Sequence, residues 1–462
     1  MTGMTGEGGT LSGSVKDAQS ATMMDGAAGV LGPLTTGAFV LFVTNLDLFL
    51  SARGYLPINT LIIFLAYCAT VFGSILATRQ PQIINRLMTG IVLNRLPFVL
   101  IACWIVVHVF ASAMTVLSGE DIDYVQIFPI YQFGVLGFGV LLAAADLTGR
   151  QIALAARWAI VVLAVSIIAE TVSPGLLGTT SARTGGFALN ANIPGFIIPA
   201  LLALSLDFRS IRLGDLLAIL MALVAVSCTL SRMGIGFLGL VIGVYVLFHV
   251  LHSVTKGKLR RLVVMAVFGI FVTALTVGTF TFLASLSGLS DEFRARIATL
   301  LEIGQVLDDP YRGPLLDFFA QEAARRPWIG YGAGETLMNS ATRAPGQFGP
   351  HNIYVRIWVD TGYLGLAFYS SFVTAVVGLG IFRRSVSTTL IGVLVALYGA
   401  FSHNVTDNKA VLILLGVALG TSAIRAAAFM LTHPLGASVT PTSAPVDGGA
   451  VQGLGQVRRR HG

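Results

Sequence analysis

One histidine and a set of arginines lie at the ends of apolar segments, where their side chains could act on an anionic substrate. His351 follows Pro350 and precedes Asn352, an arrangement typical of a capped helix start. The positive end of a helix dipole favours the neutral form of an imidazole. Beside arginines that hold a phosphate, a neutral imidazole suits a general base that acts on a hydroxyl. A histidine that caps the helix or contacts lipid headgroups is an equal alternative.

Three arginines are candidates for binding the anion. Arg183 precedes Thr184-Gly185-Gly186, and Arg232 lies in a short turn between two apolar segments. Arg312 precedes Gly313-Pro314, and because proline favours the first turn of a helix, the pattern predicts a helix N-terminus that attracts anions. Arginine offers a planar fork of donors that matches phosphate oxygens. For any single arginine a solvated loop charge is the simpler interpretation, and Arg232 could instead reach lipid headgroups. An apolar stripe after Arg312 predicts an amphipathic helix lying on the membrane: Leu315, Leu316, Phe318, Phe319 and Ala323.

The remaining polar residues give weaker indications. Arg356 and Asp360 are four residues apart and share a helix face, which predicts a self-neutralising pair inside the bundle. Four histidines show no metal-ligand spacing with one another: His108, His249, His252 and His403. Two acidic pairs are candidates for a divalent cation but are more typical of turns: Asp121 with Asp123, and Asp308 with Asp309. We therefore predict neither a metal nor a cofactor.

The chain that positions these residues is too apolar for a water-soluble protein. Of its 462 residues, 55% are hydrophobic and 11% are charged, and its mean hydropathy is +0.81. Soluble domains carry about 25% charged residues, so a soluble enzyme is excluded, and so is a disordered chain. At about 20 apolar residues per crossing, the sequence predicts an all-α, polytopic membrane bundle of about twelve transmembrane helices. The predicted spans are 34–51, 58–76, 96–117, 124–145, 153–172, 191–206, 214–230, 233–251, 262–284, 352–381, 388–402 and 410–430.

The sequence also predicts the orientation and the limits of the bundle. Basic residues concentrate in the even-numbered loops, which are therefore predicted to be cytoplasmic, together with both termini. The bundle is predicted over 34–430, with a flexible cytoplasmic tail at 1–33 and a disordered one at 431–462. The candidate residues then face outward, and Lys409 joins them there. One large outer loop at 285–350 is predicted to contain short helices. The span at 191–206 contains Pro194 and Pro199, which predicts a broken or tilted helix.

An ordered set of outer segments resembles a known family. The segments are Arg183-Thr184-Gly185-Gly186 with Asn190-Ala191-Asn192, Leu230-Ser231-Arg232-Met233-Gly234, Trp328-Ile329-Gly330-Tyr331-Gly332-Ala333-Gly334, His351-Asn352-Ile353-Tyr354 and Asp360-Thr361-Gly362-Tyr363-Leu364-Gly365. Together, from roughly 180 to 370, they resemble the bacterial O-antigen ligase and O-antigen or exopolysaccharide polymerase superfamily. Val355 and Asp360 stand where that family often has leucine and glutamate.

The resemblance implies a metal-independent transfer of glycan from an undecaprenyl-diphosphate carrier to an acceptor hydroxyl. It implies a site at the periplasmic face of the bacterial inner membrane. His351 would be the general base, and Arg183, Arg232 and Arg312 would bind the diphosphate. The supporting residues would be Asn352, Tyr354, Arg356 and Asp360. The expected partners are the carrier-linked glycan, an acceptor glycan or lipid A core, and the bilayer, but not nucleic acid.

The acceptor and the class of function both remain open. The acceptor distinguishes a polymerase from a ligase, and a polymerase is slightly favoured because nothing in the sequence marks a lipid A partner. A polysaccharide or lipid transporter (a flippase) is the alternative from another class, although we find no internal repeat of the kind typical of transporters. A metal-dependent membrane glycosyltransferase that uses the outer acidic residues is the third hypothesis, which EDTA sensitivity would favour.

Overall fold

The computed structural model of the protein describes residues 32–55, 60–77, 81–117, 128–177, 184–255, 263, 269, 312–332, 350–402 and 405–432. Throughout these ranges the regular structure is helical. In chain order the helices are α1 (Gly32–Val43), α2 (Leu46–Ala52), α3 (Thr60–Ala77), α4 (Pro81–Leu93), α5 (Arg95–Leu117), α6 (Phe128–Ala145), α7 (Gln151–Val172), α8 (Asn192–Ser205), α9 (Leu213–Thr229), α10 (Arg232–Thr255), α11 (Arg312–Arg325), α12 (Ile353–Phe382), α13 (Val386–Phe401) and α14 (Lys409–Thr432). A 3-10 turn at Gly186–Ala188 precedes α8.

Several of these helices could cross a bilayer. Five are long and apolar enough to do so: Arg95–Met114, Gln151–Val172, Arg232–Val254, Ile353–Phe382 and Lys409–Leu431. The pair α1 and α2 would make a sixth span that is bent by 58°. Further apolar helices in the described ranges are shorter: Leu61–Ile75, Tyr131–Ala145, Asn192–Ser205, Leu213–Thr229 and Val386–Phe401. The predicted all-α membrane protein is confirmed, whereas the count of twelve spans stays a prediction.

The predicted boundaries agree with the helices for most spans. The predicted span at 262–284 and most of the loop at 285–350 lie outside the described residues, as do the two tails apart from their ends next to α1 and α14. Two predicted features are wrong. Residues 81–93, taken as part of a loop around Arg86, form α4. The predicted break at Pro194 and Pro199 is absent, because α8 runs continuously over Asn192–Ser205 with Pro199 in its interior. Pro194 lies in the first turn, where its missing N–H has no partner to lose. The tilt of this helix stays a prediction.

The backbone break lies instead in α12. Gly362 interrupts this helix with φ 66° and ψ −167°, a conformation that only glycine adopts without strain. The break separates residues 353–361, which include Arg356 and Asp360, from residues 363–382, which carry no charge. The first part of α12 is therefore a short charged helix, and the second part is an apolar one.

Arginines gather at one end of the bundle, which we call the basic end. Arg157 near the start of α7 pairs with Asp215 (2.5 Å) and also donates to the Ser205 carbonyl oxygen. Arg383, after α12, donates to the Asn94 side chain (2.6 Å). Arg86 of α4 donates to the Asp146 carbonyl oxygen (2.7 Å). These arginines belong to the loops that the sequence predicts to be cytoplasmic, so those loops meet at one end.

Helices α6 and α14 pack most closely, through glycines. A side chain on Gly416 would collide with the Leu136 carbonyl oxygen, and one on Gly139 would collide with that of Ile413. The two backbones therefore touch directly, as in small-residue contacts between membrane helices.

We expect Gly416→Val to destabilise the bundle by about 1–3 kcal/mol or more, because neither backbone can retreat from the added methyl groups. Thermal unfolding in detergent measures the effect. Gly378→Val is the matched control, since nothing lies within 4 Å of a side chain added there. Equal unfolding temperatures for the two variants would contradict the close α6–α14 contact.

Candidate functional site

The starts of α8, α10 and α12 meet at the end of the bundle opposite the basic end. Gly195, in the first turn of α8, touches Ser231 and Gly234 at the start of α10. The next residue, Phe196, stacks on Tyr398 near the end of α13, with ring centroids 4.6 Å apart. A methyl group on Gly399 would lie 2.6 Å from Ile353 Cγ2, at the start of α12. Through these contacts, the turn that holds Arg232 and the residues that follow His351 lie at the same end of the bundle. We call this end of the bundle the site end.

His351 is exposed and lies just before α12, with a left-handed backbone (φ 49°). Asn352, not His351, caps the helix: its Oδ1 accepts from the N–H groups of Tyr354 (2.9 Å) and Val355 (3.2 Å). The Asn352 amide also donates to the Ala400 carbonyl oxygen (3.3 Å). The capped helix start predicted at this segment is therefore confirmed, with Asn352 as the cap and Ile353 as the first helical residue. Positive φ is uncommon outside glycine and is found at functional sites.

Arg232 is the first residue of α10, and its side chain is exposed. Ser231, which is buried, accepts from the Gly234 N–H (3.2 Å) and so caps the helix. A cation at a helix N-terminus is repelled by the positive end of the helix dipole. An anion at this place would be attracted both by the arginine and by the helix end.

Arg183 lies outside the described residues, but the residue after it is fixed. The hydroxyl of Thr184 donates to the Cys228 carbonyl oxygen (2.7 Å) at the end of α9. The Gly186 N–H donates to the buried carboxylate of Glu170 (2.9 Å), on the last turn of α7. The segment that follows Arg183 is therefore held at the site end, next to the turn that carries Arg232.

Arg312 begins α11, and only its backbone is described. The predicted amphipathic helix is present, but part of its apolar stripe packs on protein. Leu315, Phe319 and Ala323 are buried together with Val359 of α12. Their spacing of four residues puts them on one side of α11. This places the start of α11 at the site end, because Val359 lies in the first part of α12.

Arg356 lies at the centre of a buried ion cluster. Its Nε is 3.5 Å from Asp360 Oδ2, as the sequence predicts, and its Nη1 pairs with Asp407 in the turn between α13 and α14. Sequence reasoning missed Asp407, because a partner 51 residues away leaves no local pattern. Tyr354, two residues before Arg356, donates to the Ala396 carbonyl oxygen (3.0 Å). These contacts hold the start of α12 against α13 and the turn that follows it.

Lys409 begins α14 at the site end, on the same side as the candidate arginines, but its side chain is not exposed there. Its ammonium group is buried and pairs with Asp47 at the start of α2. The acidic pairs weighed as cation ligands, Asp121 with Asp123 and Asp308 with Asp309, lie outside the described residues. The exposed groups described at the site end therefore include an arginine at a helix N-terminus and an imidazole before another helix, a pair suited to holding an anion and moving a proton.

Part of the chain matches a known protein family. The family model described as O-antigen ligase matches residues 216–370, a stretch that includes Arg232, Arg312 and His351. Arg183 and Asp407 lie outside that stretch. No curated protein matches the chain. The match confirms the resemblance found in the sequence: residues 216–370 are similar to the O-antigen ligase family.

Proposed function

We propose that the protein transfers an oligosaccharide or polysaccharide from an undecaprenyl-diphosphate carrier to an acceptor hydroxyl. The observation that carries the proposal is the meeting of Arg232 and His351 at one end of the bundle, within the stretch that matches O-antigen ligases. A lipid carrier is a suitable donor for a membrane protein, because the carrier's prenyl chain stays in the bilayer while the carrier's diphosphate reaches the lipid–water boundary.

His351 takes the proton of the acceptor hydroxyl as general base. The acceptor oxygen bonds to the anomeric carbon of the donor sugar while the bond from that carbon to the diphosphate oxygen breaks. The bonding electrons leave with the diphosphate, and Arg183, Arg232 and Arg312 stabilise this charge. The proton on His351 then passes to water. A diphosphate is a good leaving group once its charge is held, so we expect transfer to continue in the presence of EDTA.

We place the site end at the periplasmic face of the bacterial inner membrane. The basic end supports this orientation, because arginine-rich short loops stay in the cytoplasm. Both termini are then cytoplasmic, and the large loop at 285–350 is periplasmic. The twelve-span topology is part of the same proposal.

The acceptor decides between a polymerase and a ligase, and we favour a polymerase. The test uses purified protein in liposomes with carrier-linked repeat units, with and without lipid A core. A polymerase lengthens the glycan on the carrier without lipid A core, whereas a ligase forms product only when lipid A core is added. No new glycosidic bond under either condition would contradict the proposed function.

We expect Arg232→Lys and Arg312→Lys each to lower kcat/KM for the carrier-linked donor. A change of about 10-fold corresponds to about 1.4 kcal/mol of lost transition-state stabilisation. Lysine keeps the charge but loses the forked contact with phosphate oxygens. Steady-state kinetics over a range of donor concentrations measures the effect. Arg425→Lys, on α14 away from the site end, is the matched control. Wild-type kinetics for both site variants would show that Arg232 and Arg312 do not bind the donor.

A further inference from the structure

An exposed aromatic and apolar surface lies at the break in α12. It consists of Trp328, Ile329, Tyr363 and Leu364, which we call the Trp328 patch. Their exposed fractions are 67%, 39%, 43% and 47% in that order. The Trp328 and Tyr363 rings meet edge to face, with centroids 5.7 Å apart. The two halves of the patch come from distant parts of the chain, so the fold assembles it.

The patch is held by backbone hydrogen bonds rather than by side chains alone. The Tyr331 and Gly332 N–H groups donate to the carbonyl oxygens of Val359 and Asp360 (both 2.9 Å). The Tyr363 N–H donates to the Pro327 carbonyl oxygen (2.7 Å). The break at Gly362 frees these helix groups, and the segment after α11 satisfies them. The exposed position of Trp328 is thus fixed by the backbone.

The position of the patch along α12 matches a bilayer boundary. Residues 363–382 carry no charge, and at 1.5 Å per residue about 20 helical residues span about 30 Å, the thickness of the hydrocarbon layer. The far end of this segment also exposes large apolar side chains, Ile381 and Phe382, just before Arg383 and Arg384. The patch is therefore continuous with the exposed face of a membrane span and lies at its other end.

The chemistry of the patch is that of a lipid–water boundary. Tryptophan and tyrosine are enriched at this depth because their rings are apolar on one side and polar on the other. Two exposed arginines precede the patch: Arg325, which pairs with Glu322 (2.9 Å), and Arg326, whose guanidinium lies 4.7 Å from the Tyr331 ring centroid. Arginines at this level reach lipid phosphates while their stems stay in apolar surroundings.

We propose that the Trp328 patch inserts into the headgroup–acyl boundary of the leaflet at the site end and fixes the depth of α11 and of the first part of α12. The charged residues Arg356 and Asp360 then lie above the hydrocarbon layer. If the proposed function holds, the same anchor presents His351 and Arg312 at the level of the carrier diphosphate. The anchor itself does not depend on the glycan-transfer activity.

Nitroxide labels in liposomes of phosphatidylethanolamine and phosphatidylglycerol test the anchor. Cysteines replace Trp328, Ile329, Thr374 and Phe382 one at a time, in a full-length chain whose Cys68, Cys103 and Cys228 are changed to alanine. Collisions with oxygen report lipid, and collisions with a water-soluble nickel complex report water. Thr374 is the mid-span reference on the exposed side of α12, and Phe382 is the reference for the opposite boundary.

We expect the labels at 328 and 329 to match the label at 382, with more nickel collisions than at 374 and more oxygen collisions than a label in water. The Ile329→Cys variant keeps Trp328, so loss of the indole cannot by itself decide the result. Free nickel access with no oxygen enrichment at 328 and 329 would show a water-exposed loop and overturn the proposal. Shielding from both reagents would show a protein partner, such as a second copy of the chain, and would also overturn it.

Discussion

Replacing His351 with alanine or asparagine is expected to lower the rate of glycan transfer by about 10²–10⁴-fold, the usual contribution of a general base. Asparagine is the sharper substitution, because it tolerates the left-handed backbone that His351 adopts and stays polar, but cannot accept a proton at neutral pH. The His351 side chain is exposed and precedes the helix, so its loss should leave the fold intact. Transfer is measured with carrier-linked donor in liposomes.

Two controls separate chemistry from folding in this experiment. The amount of inserted protein and its unfolding temperature should equal those of the wild type. Asn352→Ala, which removes the helix cap, should instead lower stability by about 0.5–2 kcal/mol. If the His351→Asn variant transferred glycan at the wild-type rate, the general-base role would have to be abandoned.

Replacing Asp407 with alanine is expected to destabilise the protein by about 3–5 kcal/mol, because it removes a carboxylate that pairs with the buried charge of Arg356. The contact from Arg356 Nε to Asp360 Oδ2, at 3.5 Å, is the weaker of the two described ion pairs. The variant should also lose activity, since Arg356 joins the start of α12 to the turn before α14. Thermal unfolding in detergent and the yield of folded protein measure the loss.

A triple substitution makes this second prediction specific. Arg356→Met with Asp360→Leu and Asp407→Leu removes the buried ion cluster as a whole and should recover much of the lost stability, since apolar side chains need no charge partner. Asp207, whose contact with Arg212 (2.8 Å) is partly exposed, provides the matched surface pair. Its replacement should cost less than about 1 kcal/mol from the lost ion pair. An Asp407→Ala variant as stable as wild type would contradict the buried cluster.

Much of the fold follows from local sequence, because a membrane helix satisfies its own backbone and needs only an apolar run of sufficient length. The helices α5, α7, α10 and α14 are therefore predicted within a few residues. The amphipathic pattern after Arg312 also predicts α11. What that pattern does not reveal is the surface that its apolar stripe meets, since lipid and a neighbouring helix are equally apolar. The buried contact of Phe319 with α12 depends on tertiary packing.

Features that join distant segments could not be predicted from one sequence. The sequence around Lys409 is typical of an exposed cation. Its buried partner Asp47 is 362 residues away, so no local pattern indicates the pair. The break in α12 requires hydrogen bonds between the segment 327–332 and the backbone groups that the break leaves unpaired, so Gly362 alone does not reveal it. For the candidate site, residue types indicate His351 and the arginines, but only the contacts through Gly195 and Tyr398 bring Arg232 and His351 to the same end.

The fate of the carrier distinguishes glycan transfer from transport of the intact donor. Purified protein in liposomes is given donor labelled separately in the glycan and in the lipid, and products are resolved by mass. If the protein transfers glycan, one undecaprenyl diphosphate is released for each new glycosidic bond in the wild type, and His351→Asn forms both products about 10²–10⁴-fold more slowly. Movement of intact donor across the bilayer, with no bond broken, would contradict glycan transfer and favour a transporter.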